Sequence, residues 1–277
     1  MKNVVVIPNA AKDPELAVTS ALVSKLCDMG VNVHIKDCYN VRGAISYSDL
    51  PSAAELIMVV GGDGSVIDAS RLAVERDIPL VGVNLGRVGY LSEIDPCALD
   101  VLDALKSGSY FITEKMLLSV STDGWEGYSY AVNDVVISHS DCIGISTFRL
   151  QDSVGNSLSY RADGIILATP QGSTAYSLSS GGPVVAHDVD SILATPVCTH
   201  SFFDRSVLFN SKEVLVVTNT GEGNLNICID GRVSTVLTPG AACNVRRADV
   251  TLKMLSFSKN SMFTGLFKKM SILEGFK

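Results

Sequence analysis

No apolar run in these 277 residues is long enough to span a bilayer. The opening Met1-Lys2-Asn3-Val4-Val5-Val6-Ile7-Pro8 is too short in its apolar part for a secretory signal before proline interrupts it. Internal repeats and low-complexity tracts are absent. Positive charge is scarce: 22 Lys and Arg against 29 Asp and Glu leave a net charge of −7. That balance argues against a general binder of nucleic acid or of an anionic membrane. A local basic site can still hold an anionic nucleotide. The four histidines are dispersed, and the seven cysteines, at 27, 38, 97, 142, 198, 228 and 243, are odd in number with no zinc-like spacing. This fits reduced thiols in the cytoplasm, with no metal ligands and no disulfide framework. Cys27, Cys142 and Cys228 sit in apolar patterns and read as small core residues.

What is present is a chain 47% hydrophobic, enough for two well-filled domains. Residues 56–65, Leu-Ile-Met-Val-Val-Gly-Gly-Asp-Gly-Ser, read as a buried strand stopped by glycines, with a helical pattern directly after. Ser65 is the expected helix cap, with Asp68 in the capping-box position. Such a junction offers backbone N–H groups and a helix dipole to an anion. Gly61, Gly62 and Gly64 allow close approach and positive φ. Asp63 is out of place in a loop suited to phosphate. It either takes a proton or orders a metal ion, or it simply forms a turn; from the loop alone these readings stand level.

Strands are expected at 4–7, 31–35, 56–60 and 81–85, and helices at 13–29, 65–77 and 95–106. This alternation implies a parallel sheet with ligands at its carboxyl edge. From about Glu114 the pattern changes to short strands and turns: 115–121, 128–138, 144–152, 157–161, 164–169, 191–198, 207–209, 213–219, 225–230 and 232–237. The expected architecture is therefore α/β plus all-β. An N-terminal Rossmann-like α/β domain (1–113) precedes a C-terminal β-sandwich domain (114–257). An amphipathic tail (258–277) with Met262, Leu266, Phe267 and Met270 packs back on the first.

The longest polar motif runs Arg161-Ala162-Asp163-Gly164-Ile165-Ile166-Leu167-Ala168-Thr169-Pro170-Gln171-Gly172-Ser173-Thr174-Ala175-Tyr176, then Ser179 and Gly181-Gly182-Pro183. Ser173, Thr174 and Ser179 can hydrogen-bond a base or ribose, and Tyr176 offers a ring face. The competing reading is a hydroxyl-rich turn that caps a helix. Lys12 and Arg87 can steer phosphates, although exposed basic residues usually do nothing specific.

Taken together, GGDGS at 61–65, NLGRVGYL at 84–91, ND at 133–134 and the block at 161–183 resemble the NAD kinase family in collinear order. Pro196 to Arg205 and Asp230-Gly231 match less closely. GGDG alone is shared with diacylglycerol, sphingosine and phosphofructokinase-type kinases; the long block is far more specific. The resemblance implies an α/β domain and a β-sandwich domain with the site in their cleft. It implies transfer of the terminal phosphoryl of ATP, with a divalent cation (Mg2+), to the 2′-hydroxyl of the adenosine ribose of NAD. Some relatives also use polyphosphate or NADH.

By motif position Asp63 would be the general base, and Gly62, Gly64 and Ser65 would line the phosphate loop. Asn133 and Asp134 would hold the nucleotide, and Thr174, Ala175, Tyr176 and Ser179 would contact the adenine side. Arg161 and Asp163 match residues that in relatives reach a nicotinamide-side site across a subunit interface. A homodimer or homotetramer is implied, with no nucleic acid or membrane partner. Three positions depart from the family pattern: Asp134 replaces glutamate, Ser65 stands where threonine is frequent, and Ser206 where proline is common. A lipid kinase sharing GGDG and a non-catalytic nucleotide sensor are the rival readings.

Overall fold

The computed structural model describes residues 1–86, 89–127, 130–140 and 145–258. The expected amphipathic tail, Arg87 and Cys142 lie outside them. The chain divides into two compact units. One comprises Met1–Glu114 with the described residues from Leu252 on, and the other Lys115–Thr251.

The first unit contains β1 (Asn3–Pro8), α1 (Ala17–Asp28), β2 (Asn32–Lys36), β3 (Ile45–Tyr47), β4 (Leu56–Gly61), α2 (Asp63–Arg76), β5 (Leu80–Asn84), β6 (Ser92–Ile94) and the single turn α3 (Ala104–Ser107). Five strands lie parallel in the order β3-β2-β1-β4-β5, and β6 also joins β5. Every residue of β4 is buried. That is why 56–60 reads as a continuous apolar run: both faces of a parallel sheet are covered. α1 packs on β1 and β2, and α2 on β4 and β5, with Leu22, Val23 and Leu26 of α1 and Val66, Ala69 and Ala73 of α2 turned inward.

Two helices depart from expectation. α1 starts at Ala17, not Asp13, because Leu16 turns left-handed (φ 52). Asp13 instead accepts the Thr19 N–H at 2.8 Å and the Thr19 hydroxyl at 2.7 Å, and so anchors the helix start. The expected helix over 95–106 is replaced by a turn, a 3-10 segment at Leu99–Asp103 and α3; β6, just before it, and β3 were not expected.

The second unit is built from β7 (Phe111–Thr122), β8 (Tyr130–Ala131), β9 (Asp134–His139), β10 (Ser146–Gln151), β11 (Ser157–Ala162), β12 (Gly164–Ala168), the one-turn α4 (Tyr176–Ser179), β13 (Ser191–Val197), β14 (Val207–Asn210), β15 (Val214–Asn219), β16 (Leu225–Ile229), β17 (Arg232–Leu237) and β18 (Ala242–Ser256). The first few residues of β7 and the last few of β18 fall outside its bounds. One sheet is six-stranded and antiparallel, in the order β14-β13-β12-β9-β16-β17. The other carries β11-β10-β15-β18, with β7 beside β18 and β8 beside β7. Alternate residues of both sheets share one core, among them Ile137, Ile165, Leu167 and Ile227 from the first and Phe148, Tyr160, Leu215 and Val245 from the second. This is sandwich packing. Phe148 and Tyr160 face each other across β10 and β11, their ring centroids 5.5 Å apart. β18 escapes the sequence reading because Arg246-Arg247-Ala248-Asp249 breaks its apolar alternation.

Candidate functional site

Strand order in the first unit reverses between β1 and β4: β2 and β3 extend from one, β5 from the other. Loops leaving strands at such a reversal part from each other, and open α/β sheets take their ligands there. Here those loops are residues 9–13, after β1, and the Gly62-Asp63 junction after β4.

The junction differs from its sequence reading. α2 begins at Asp63, with Gly62 as an extended cap (φ −105, ψ −173) and no side-chain cap. Ser65 therefore lies inside the first turn, and its Oγ accepts from Asn9 Nδ2 at 2.7 Å. None of Gly61, Gly62 and Gly64 is left-handed. Gly61 is a glycine for room, since a Cβ there would stand 2.5 Å from Ser65 Oγ, and one on Gly62 would push aside the Lys12 ammonium. A Cβ on Gly64 would meet nothing within 4 Å, so that position borders open space.

Asp63 accepts the Tyr90 N–H at Oδ2 and the Leu91 N–H at Oδ1, both at 2.9 Å. A turn-forming aspartate would bond its own neighbours, whereas these partners lie 27 and 28 residues away. Each carboxylate oxygen keeps a second lone pair, so the group can still accept a proton. Burial, and then the Asp63 charge, push the Tyr90 phenol upward.

The second group of residues belongs to the sandwich. The stretch expected as one strand over 128–138 breaks between β8 and β9, where the Asp230 carboxylate accepts the N–H groups of Val132 (2.8 Å), Asn133 (2.8 Å) and Asp134 (3.2 Å). Asp230 and Gly231 both have positive φ, 48 and 80, as the tight hairpin turn between β16 and β17 demands. Thr169 braces the same segment: its hydroxyl donates to Val132 O at 2.7 Å and its N–H to Asn133 O at 2.9 Å. Gly172 presses on it so closely that a Cβ there would collide with Asn133 O. Gly172→Ala should therefore cost about 1–3 kcal/mol of stability, read as a lower urea midpoint; an unchanged midpoint would show that the turn can shift freely.

Asn133, Asp134, Asp163, Ala175 and Tyr176 line one cavity of about 620 Å³ on the outer face of the six-stranded sheet, together with Val136, His139, Gly164, Cys228 and Asp230 among others. Its size suits a nucleoside-sized ligand. Arg161, Thr174 and Ser179 are not in its lining. Ser173 is a correction: it is fully buried, and its hydroxyl bonds Pro170 O and the Val185 N–H, leaving nothing for a ligand. The Thr174 hydroxyl donates to Gln171 O at 3.1 Å. Ser206, where proline was the usual residue, ends a run of hydroxyls through Thr195 to Ser177. His200 gives its N–H to Arg161 O.

The cavity is acidic. Burial first, and the Asp230 charge second, push Asp134 up to about 7, against one hydrogen bond from the Tyr176 N–H. Burial also raises Asp230. Of the two, Asp230 is the one braced by three N–H groups, which favour its charged form against that burial. Such a wall suits sugar hydroxyls, while the glycine junction with its lysine suits phosphate. Asp230 is only a minor match in the sequence; its place at an Asp-Gly turn closing an apolar strand is the signal that marks it. Cys228 and Cys27 are half-buried and the fully buried cysteine is Cys243; the six described cysteines are all free.

Residues 16–110 match the family model for the ATP-NAD kinase N-terminal domain and residues 132–257 that for the C-terminal domain. An NAD kinase of Natranaerobius thermophilus is 31% identical over 98% of this chain and 98% of its own. The chain belongs to the NAD kinase family. An NAD kinase of Geobacter sulfurreducens is 36% identical over 87% of this chain and 86% of its own. In fold the chain is similar to the yeast NADH kinase solved with NADH (TM-score 0.81, 21% identity, 100% of this chain and 88% of that one). It is also similar to an Archaeoglobus fulgidus NAD kinase solved with ATP (TM-score 0.74, 19% identity, 98% and 99%). As an NAD kinase it is a phosphotransferase, and nothing in these likenesses favours a lipid kinase or a sensor that has lost the chemistry.

Proposed function

We propose that this NAD kinase moves the terminal phosphoryl of ATP to the 2′-hydroxyl of the adenosine ribose of NAD, with Asp63 as the base. The observation that carries this is the Asp63 carboxylate, fixed at the start of α2 by two N–H groups beside a glycine junction at the strand-order reversal. Phosphoryl transfer is chiefly alignment and charge stabilisation. The hydroxyl oxygen attacks the terminal phosphorus, the bond to the ADP oxygen breaks, and the proton passes to Asp63. Gly62, Gly64 and Ser65 border the phosphates. Asn133 and Asp134 hold ribose hydroxyls, Ala175 and Tyr176 face the adenine, and Asp163 lines the same cavity. Thr174 and Ser179 stand beside that adenine wall, and Arg161 acts at the nicotinamide end.

ATP is taken as its magnesium complex, a substrate form that needs few protein ligands. We place the chain in the cytoplasm, in keeping with the six described cysteines being free, and as a homodimer or homotetramer. Pure protein with Mg-ATP and NAD should yield NADP and run in light scattering as two or four subunits. Tight NAD binding with no NADP would sink the catalytic reading.

A further inference from the structure

We infer that Lys12 is the cation that grips the terminal phosphoryl group of the donor during transfer. The inference rests on the phosphate-loop reading above and adds a residue to it. Exposed lysines usually wander, but the backbone beneath this one is fixed. Asn9 O accepts the N–H groups of Lys12 (3.0 Å) and Asp13 (2.9 Å), and the Asn9 N–H donates to Val60 O at 2.8 Å. The Asn9 side chain holds Ser65 Oγ, inside the glycine junction itself. On the far side, buried Asp13 is tied to Thr19 of α1. The loop that carries Lys12 is thus anchored to β4, α1 and α2.

The ammonium rests over Gly62, at the glycine junction itself. A Cβ on Gly62 would collide with Nζ and push the side chain aside, and one on Gly86 would be in ordinary contact with Nζ, at 3.8 Å. Among the described residues it has no carboxylate partner, whereas Lys25 is paired with Asp100 and Asp103 and Lys253 with Asp77. The start of α2 adds the positive end of a dipole, so a phosphoryl group bound there is met by the ammonium and by the helix end together.

In the reaction Lys12 acts as a hydrogen-bond donor. It donates hydrogen bonds to a non-bridging oxygen of the terminal phosphoryl while the hydroxyl oxygen bonds to phosphorus, ADP departs with the bridging electron pair, and Asp63 receives the proton. Fixed donors of this kind are worth about 10²–10³ in rate.

Steady-state kinetics of the full chain, with Mg-ATP and NAD varied separately, test this in the wild type, Lys12→Met and Lys12→Arg. Lys12→Met should lower kcat about 10²-fold with the KM for NAD changed less than about threefold. Lys12→Arg should recover at least about tenfold of that loss, because it restores the charge. Melting temperatures should coincide, the side chain being exposed. Lys12→Met with kcat within about threefold of the wild type, or Lys12→Arg no better than Lys12→Met, would overturn the assignment while leaving the NAD kinase mechanism standing. A wild type that makes no NADP from ATP would overturn both.

Discussion

Asp63→Asn should cut NADP formation by about two to four orders of magnitude, the usual worth of general-base help, with little change in KM. The two N–H groups held by the carboxylate refine that expectation. An amide has one acceptor oxygen, so either Tyr90 or Leu91 would face an NH2 donor. Leaving one N–H unsatisfied costs about 1–3 kcal/mol, and the variant should melt a few degrees lower. Turnover and stability must therefore be measured on the same preparation. A small loss of stability with a large loss of turnover supports proton transfer. Turnover within about tenfold of the wild type, with the same small loss of stability, would reduce Asp63 to a brace for the loop at 89–91.

The second large effect has the opposite sign. Asp134→Asn should stabilise the protein above neutral pH. In the fold this carboxyl is raised from 3.8 to about 7. Below pH 3.8 it is protonated whether the chain is folded or not, so it contributes nothing. Between the two values the folded chain holds a proton that the unfolded chain has lost, and stability falls as pH rises. Above about 7 the penalty is complete, and the displacement corresponds to about 4 kcal/mol at most. Asparagine carries no such penalty and can accept the Tyr176 N–H. Urea melts at pH 8 should show the variant ahead by roughly 2–4 kcal/mol, with the advantage shrinking towards pH 4. Equal gains at both pH values would assign the effect to packing. The other groups on the cavity wall, Asp163, His139, Cys228 and Asp230, are the same in both proteins. A carboxyl that costs stability at working pH is typical of a site kept for binding.

These two residues also show how far the sequence could be read. The α/β half followed by the all-β half was legible, because buried parallel strands leave continuous apolar runs and sandwich strands leave alternating ones. Local rules failed where partners are distant. Ser65 has the chemistry of a helix cap, yet its hydroxyl is engaged by Asn9, 56 residues away, and Gly62 takes the cap. Asp230 breaks the strand expected over 128–138 from about 97 residues away. Ser173 looked available only because its contacts with Pro170 and Val185 are invisible in a linear motif. From the sequence Lys12 is an exposed lysine that can steer phosphate; its place against Gly62 is visible only in the fold.

One pairing bears on how the chain is born. Met254 lies beside Leu80, and Glu93 accepts from Ser256 and Ser258, so the first unit draws its last pieces from the far end of the polypeptide. A ribosome that has delivered residues 1–114 has made the nucleotide-loop scaffold with part of β5 still unpartnered. Open strand edges invite foreign pairing, and contacts this remote in sequence form slowly. Nascent chains stalled before β18 should therefore be the state most in need of chaperones.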